Sequence, residues 1–226
     1  MNGLVEVKDV RKNYNGNEVL KGIDLVAFPG EVLVVLGKNG AGKSTLFKLI
    51  GGLAEQTSGE IQLNQNNTGF SINEPVFYEH LSGWENLAIH CQYYNVSEEK
   101  IGYWLKKVGL SVENQQPVKN YSLGMRQRLV IARCLIHNPD ILLIDEPLNG
   151  LDPKGIKDFR ELLQELKEQN KTIIISSHIL SEVQSIANRI VVLYEGKMVL
   201  QTLAKDFSTE SPTVFENKMI NWMEGI

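Results

Sequence analysis

Gly37 to Thr45 reads GKNGAGKST and fills every fixed position of G-x-x-x-x-G-K-[ST], a pattern that cradles phosphates. Glycines 37, 40 and 42 let backbone N–H groups turn inward around anionic oxygens, and a helix beginning at Ser44 adds the positive end of its dipole there. Lys43 offers a mobile cation to the β- and γ-phosphates, and Ser44 a hydroxyl to Mg2+. The implied chemistry is binding of a nucleoside triphosphate, with Gly37, Asn39, Gly40, Ala41, Gly42, Lys43, Ser44 and Thr45 as candidate contacts. A flexible turn is the bland alternative for glycine-rich sequence, but it leaves the flanks unexplained. Glu31 to Leu36, EVLVVL, has the composition of a buried strand, and Ser44 to Ile50 opens a helix with Leu46, Phe47, Leu49 and Ile50 as its apolar positions.

A second constellation lies a hundred residues on. Ile141 to Glu146, ILLIDE, puts apolar residues on a buried strand and ends it with two carboxylates at the sheet edge where bound phosphates should lie. Asp145 is placed to hold Mg2+ through its water shell; Glu146, aimed differently, is placed to polarise an attacking water. Taken alone, the pair could be a solvated strand end. Upstream, YSLGMRQ (Tyr121 to Gln127) opens a continuous helical pattern, RLVIARCLI, with Ser122 as its N-cap and Gly124 permitting close approach of another surface.

The elements that must position these residues follow from the periodicity. The first thirty residues alternate short apolar segments with Asn-Gly and Pro-Gly turns, which suits an antiparallel β-layer. Short strands are expected around Glu60 to Leu63 and Thr68 to Ile72. From about Pro75 to His137 the composition turns helical and aromatic, as in an inserted helical subdomain. Most of its rings, Tyr93, Tyr94, Tyr103 and Trp104 among them, are expected to fill that subdomain's core; Trp84 is the weaker case, because FYEHLSG before it reads as an exposed loop. ILLID, TIIIS (Thr172 to Ser176) and RIVVLY (Arg189 to Tyr194) are then spaced by helices over Lys154 to Asn170 and Ile179 to Ala187, the mark of a parallel sheet with right-handed crossovers. The fold class is therefore α/β, a P-loop NTPase core with an antiparallel β-layer and a helical insertion. Residues 1–74 and 138–207 form the core, 75–137 the helical subdomain, and 208–226 a tail of weak periodicity.

Bulk properties narrow the function. The 226 residues suffice for one full α/β core, and a net charge of −4 without any Lys/Arg block excludes a duplex nucleic-acid surface. Cys91 and Cys134 lack metal-ligand spacing, and His90 has no further ligand near it in sequence, so both thiols are expected to be reduced, as in a cytoplasmic protein. The longest apolar runs, VLVVL and TIII, fall far short of a membrane span, and the N-terminus lacks a signal-peptide core.

The order of motifs, phosphate loop, then YSLGMRQRLVIARCLIHNPDILLIDEPLNGLDP, then SSH at Ser176 to His178, resembles the ATP-binding-cassette (ABC) ATPases from Val5 to about Thr202. The resemblance implies that Ser122 and Gly124 stand in the LSGGQ signature, although Tyr121, Leu123 and Met125 depart from its other letters. It implies that Asp152, in NGLDP, lies in the D-loop, that His178 is the switch histidine contacting the γ-phosphate, and that Tyr14 stacks on adenine. Glu146, His178 and Lys43 become the candidate catalytic groups, and Ser44, Asp145 and Asn73 the candidate metal contacts. Asn73 stands where the family carries a glutamine, one methylene longer, and Glu74 follows it; Leu148 replaces a usual threonine.

NEPVFYEHLSGWENL looks similar to the bacitracin- and lantibiotic-type exporters. The resemblance implies ATP and Mg2+ as cofactors and a head-to-tail dimer, of two copies or with a related ATPase subunit, sandwiching two nucleotides. It also implies a polytopic membrane permease as partner and a place on the cytoplasmic face of the cell membrane. Export of an antimicrobial peptide or drug is the expected task. A soluble ABC ATPase working as a nucleotide-gated switch or in cofactor assembly is the alternative.

Overall fold

The computed structural model describes residues 3–64, 67–72, 76–177 and 180–226. β1 (Val5–Tyr14) and β2 (Asn17–Ala27) form a hairpin whose turn, Asn15 and Gly16, places both residues at positive φ, the geometry that matches strand twist. β4 (Ser58–Leu63) pairs with the other edge of β1, giving the antiparallel order β2-β1-β4. The larger sheet runs β5 (Thr68–Ser71), β6 (Ile141–Ile144), β7 (Thr172–Ser177), β3 (Val32–Leu36), β8 (Arg189–Tyr194), β9 (Lys197–Leu203). Its pairings are parallel from β5 to β8, as the strand–helix alternation implies, whereas β9 runs antiparallel to β8. A two-residue turn at Glu195-Gly196 makes that last hairpin; Lys197 to Leu203 lies on an outer edge and alternates only weakly, so its sequence carries little strand signal.

The central strands are buried on both faces and sort their side chains by parity. Val32, Val34 and Leu36 face one core, shared with Leu142, Ile144, Ile173 and Ile175; Leu33 and Val35 face another, shared with Leu143 and Ile174. α1 (Lys43–Ile50) buries Leu46, Phe47, Leu49 and Ile50 in the second core together with the β1–β2 layer. The first core is covered by α4 (Leu123–Leu135), α5 (Pro153–Glu168) and α6 (Leu180–Ile186), and it runs on into the helical region. There α2 (Gly83–Tyr94) and α3 (Lys100–Lys107) contribute Leu87, Cys91, Ile101 and Leu105.

Residues 208–226, expected as a tail of weak periodicity, contain a packed helix: α7 (Pro212–Glu224), capped by Ser211, buries Phe215, Met219 and Met223 against the sheet and α6. Its three apolar anchors sit four residues apart on a short helix, which gives a weak periodic signal but a full stripe once packed. The aromatic rings of the helical region are less buried than expected. Trp84 and Trp104 pack partly against the core, whereas Tyr93 is 83% exposed and Tyr94 and Tyr103 are exposed as well. Trp84 lies in the first turn of α2, whose start carries a full capping box, Ser82 Oγ accepting from Glu85 N at 3.2 Å and Glu85 Oε2 from Ser82 N at 2.7 Å.

Candidate functional site

The C-terminal edge of the sheet collects the residues singled out for phosphate chemistry. A cavity of about 240 Å3 is walled by loop residues 38–40 and 42–45, by Val19 of β2, and by Asp145 and Glu146 at the end of β6. Gly42 caps α1 with φ 106°, and a Cβ there would lie 2.7 Å from a Leu20 methyl, so only glycine lets the hairpin close over the loop. A Cβ on Gly37 would meet the Leu193 carbonyl at 2.7 Å, which holds the loop against β8. Lys43 is 6% exposed, donates through Nζ to the Gly37 carbonyl at 2.5 Å, and has Glu146 Oε1 at 3.8 Å.

Asp145 is wired from two sides. Ser44 Oγ donates to its Oδ2 at 2.7 Å and Ser176 Oγ to its Oδ1 at 2.5 Å. Ser176, fully buried on β7, also accepts the Glu146 backbone N–H at 2.8 Å. Glu146 has φ 52°, the left-handed region that a non-glycine residue enters at a cost of about 1–3 kcal/mol. That backbone turn lets the neighbouring carboxylates, Asp145 and Glu146, both reach the cavity. Ser176 was visible in the sequence within SSH, yet only the parallel pairing of β6 on β7 brings it to the carboxylate pair.

The remaining expected nucleotide contacts lie elsewhere. Ser122 caps α4, its Oγ accepting from Met125 N at 3.2 Å, and it is exposed beside Leu123, which is 66% exposed. Gly124 does permit a close approach, but to the turn before α5 of its own chain: a Cβ there would sit 2.8 Å from the Gly150 carbonyl. Asp152 caps α5 by accepting from Gly155 N at 3.1 Å and pairs with Arg128 at 3.0 Å, which together hold its carboxyl below the usual range, the Arg128 hydrogen bond acting most. Gln127 Nε2 donates to the Pro147 carbonyl at 3.1 Å, tying α4 to the turn after Glu146. None of Ser122, Gly124 or Asp152 lines the cavity, nor does Tyr14, an exposed ring at the end of β1 with the Lys12 ammonium 4.6 Å from its centre. Leu148 is buried in the core, which accounts for an apolar residue in place of threonine. Asn73, Glu74 and His178 lie outside the described residues.

A larger concavity, about 380 Å3, opens between the helical region and β5. Tyr94 stacks on His137 with ring centres 4.2 Å apart, and His90 Nε2 is 3.4 Å from His137 Nδ1. His90, read as isolated in sequence, thus has an imidazole neighbour contributed from 47 residues away. Burial, followed by the positive neighbours His137 and Arg133, brings the His90 pKa down to about 4. Both thiols are buried, and burial pushes Cys134 up to about 12. Among the described residues no three His, Cys, Asp or Glu side chains gather as metal ligands, and no helix is long and apolar enough to cross a membrane.

Comparison with known proteins places this arrangement. Residues 20–149 match the ABC transporter family. The lantibiotic transport ATP-binding protein SrtF of Streptococcus pyogenes is 39% identical, over 96% of this chain and 98% of its own length. The bacitracin transport ATP-binding protein BcrA of Bacillus licheniformis is 38% identical, over 88% of this chain and 69% of its own. Among solved structures, an ATP-binding subunit of an ABC transporter superposes with a TM-score of 0.86 at 28% identity, covering 96% of this chain and 99% of that one. The ATP-binding cassette MJ0796, in a dimeric post-hydrolysis state bound to ADP and Pi, superposes at 0.82 with 26% identity, over 88% of this chain and 98% of that one.

Proposed function

The chain belongs to the ABC transporter family as an ATP-binding ATPase subunit, and from that premise we propose that it powers export of an antimicrobial peptide or drug through a separate membrane permease. The observation that carries the reading is likeness along nearly the whole chain to the transport ATP-binding proteins named for a lantibiotic and for bacitracin.

The roles proposed for the residues follow from the cavity. Lys43, already turned inward by the loop carbonyls, holds the β/γ-phosphates of ATP, while the loop N–H groups at the start of α1 receive their oxygens. Glu146 orients and polarises the attacking water, its backbone fixed by Ser176. Ser44 and Asp145 fit Mg2+: their oxygens, one of them anionic, lie 2.7 Å apart, and Mg2+ takes one or two carboxylates and fills its shell with phosphate and water. When bound there, the ion neutralises charge on the phosphates. Ser122, Gly124 and Asp152, set apart from the cavity on an exposed edge, serve the nucleotide of a second subunit, so that two chains form two complete sites. The aromatic groove beside Val76 and Tyr78 receives the permease.

The test is co-expression with candidate polytopic permeases in a host sensitive to peptide antibiotics. Wild type should raise survival and show permease-stimulated ATPase activity in proteoliposomes, and Glu146→Gln should abolish both. ATP turnover indifferent to every permease tried, with no protection, would count against the export reading.

A further inference from the structure

Residues 76–81 form a strap between the aromatic groove and the N-terminal end of α4. Arg126 and Arg133 stand seven residues apart on α4, two turns, and so share a face. Both reach the strap. Arg133 Nη1 donates to the Val76 carbonyl at 2.8 Å, and the Phe77 ring is buried with the Arg133 guanidinium 4.7 Å and the Arg126 guanidinium 5.7 Å from its centre. Arg126 donates Nη1 to Glu79 Oε2 at 2.9 Å and Nη2 to Glu79 Oε1 at 2.6 Å, a fork-on-fork contact, and reaches the Val118 carbonyl at 3.3 Å.

The strap is equally fixed on its other side. The buried Asn86 of α2 accepts from Tyr78 N at 2.9 Å and donates to the Tyr78 carbonyl at 3.1 Å. Lys119 N donates to the Glu79 carbonyl at 3.0 Å and Val118 N to that of Leu81 at 2.9 Å. One helical turn before the fork, Arg126 N donates to the Ser122 carbonyl at 3.0 Å. A continuous bonded path therefore runs from Val76 and Tyr78, in the groove wall, through Glu79 and Arg126 to the exposed Ser122 edge.

We propose that the Glu79–Arg126 fork is a positioning device for the signature edge: it fixes how Ser122 to Gly124 face a second subunit's nucleotide. The inference rests on the sandwich reading given above. Two features favour a positioning role over a stabilising one. Both side chains are partly exposed, where ion pairs add little stability. The bidentate geometry, by contrast, fixes direction as well as distance, which a lysine could not do. The Arg126 hydrogen bond holds the Glu79 carboxyl below its usual range, so the fork stays ionised at neutral pH.

The test uses the full chain in a Glu146→Gln background with Mg-ATP. Glu79→Gln and Arg126→Lys should leave the affinity of the monomer for a fluorescent ATP analogue unchanged. They should raise the protein concentration needed for dimerisation on gel filtration by about tenfold, a common coupling size. Exchanging the charges, Glu79→Arg with Arg126→Glu, should recover part of the loss, and an unchanged thermal midpoint in the single variants separates positioning from misfolding. Variants that dimerise like their parent overturn the proposal, as does a loss of ATP affinity in step with dimerisation. A parent that never dimerises with ATP overturns the sandwich reading, and this inference falls with it.

Discussion

The cavity at the sheet edge and the groove of the helical region are built on opposite principles. At the sheet edge the polar groups satisfy one another: Lys43 bonds its own loop, and Ser44 and Ser176 hold Asp145 from either side, while the latter also fixes the Glu146 backbone. In the groove of the helical region the walls are mostly rings with much of their surface in water, Tyr93 and Tyr78 above all, and polar groups such as the His90–His137 pair lie among them. A site that is wired internally is pre-organised before its ligand arrives. A site of exposed apolar rings gains its stabilisation only when something covers it. The contrast fits a division in which the first concavity does the chemistry and the second takes a partner.

That division can be broken most sharply at Glu146. Glu146→Gln keeps shape but cannot accept a proton, so kcat should fall by roughly 10²- to 10⁴-fold while ATP binding persists; a steady-state ATPase assay with a parallel binding titration reads both. Near-normal turnover would remove Glu146 from its proposed role.

Lys43→Ala deletes a buried cation and should weaken ATP binding by roughly 10- to 100-fold, the size of one lost charge-assisted hydrogen bond. Ser122→Arg, on the exposed edge, should leave monomer affinity intact and block dimerisation. Calorimetric titration of both monomers tests the split, and an equal loss in the two would erase the distinction between the cavity and the signature edge.

Ser176→Ala probes the internal wiring. It leaves the Glu146 N–H without its acceptor and Asp145 Oδ1 without its donor, and should cost about 1–3 kcal/mol in urea unfolding together with a drop in kcat. A silent substitution would show that the cavity is not pre-organised through β7.

The smallest effect belongs to the groove. The folded protein keeps His90 neutral down to about pH 4, whereas the unfolded imidazole takes up a proton below its ordinary value of 6.5. Between those limits the unfolded state binds more protons, so stability falls as pH falls. His90→Phe should flatten the slope of the thermal midpoint over that window. Identical slopes would mean that the imidazole pair bears no titration penalty.

Residue types at fixed short spacing made the phosphate loop, the strand ending in Asp145 and Glu146 and the α/β class legible, and the order of such motifs along the chain carried the resemblance to the family. The residue pattern also placed Ser122 at a helix start, where it proves to be an N-cap; Asp152, singled out only by the family resemblance, proves to be one as well. Tertiary structure decided what spacing cannot express. Ser176 reaches Asp145 only through the register of β6 on β7, His90 meets His137 only where α2 crosses the end of α4, and Glu79 finds Arg126 across 47 residues. Gly124 admits Gly150 of its own chain, and residues read as a tail become α7, because a stripe of three anchors acquires meaning only against the surface it covers. Local patterns fix backbone and motif through propensity and capping, which act within a turn or two. Contacts between distant residues are set by how whole elements pack, and no single segment carries that information.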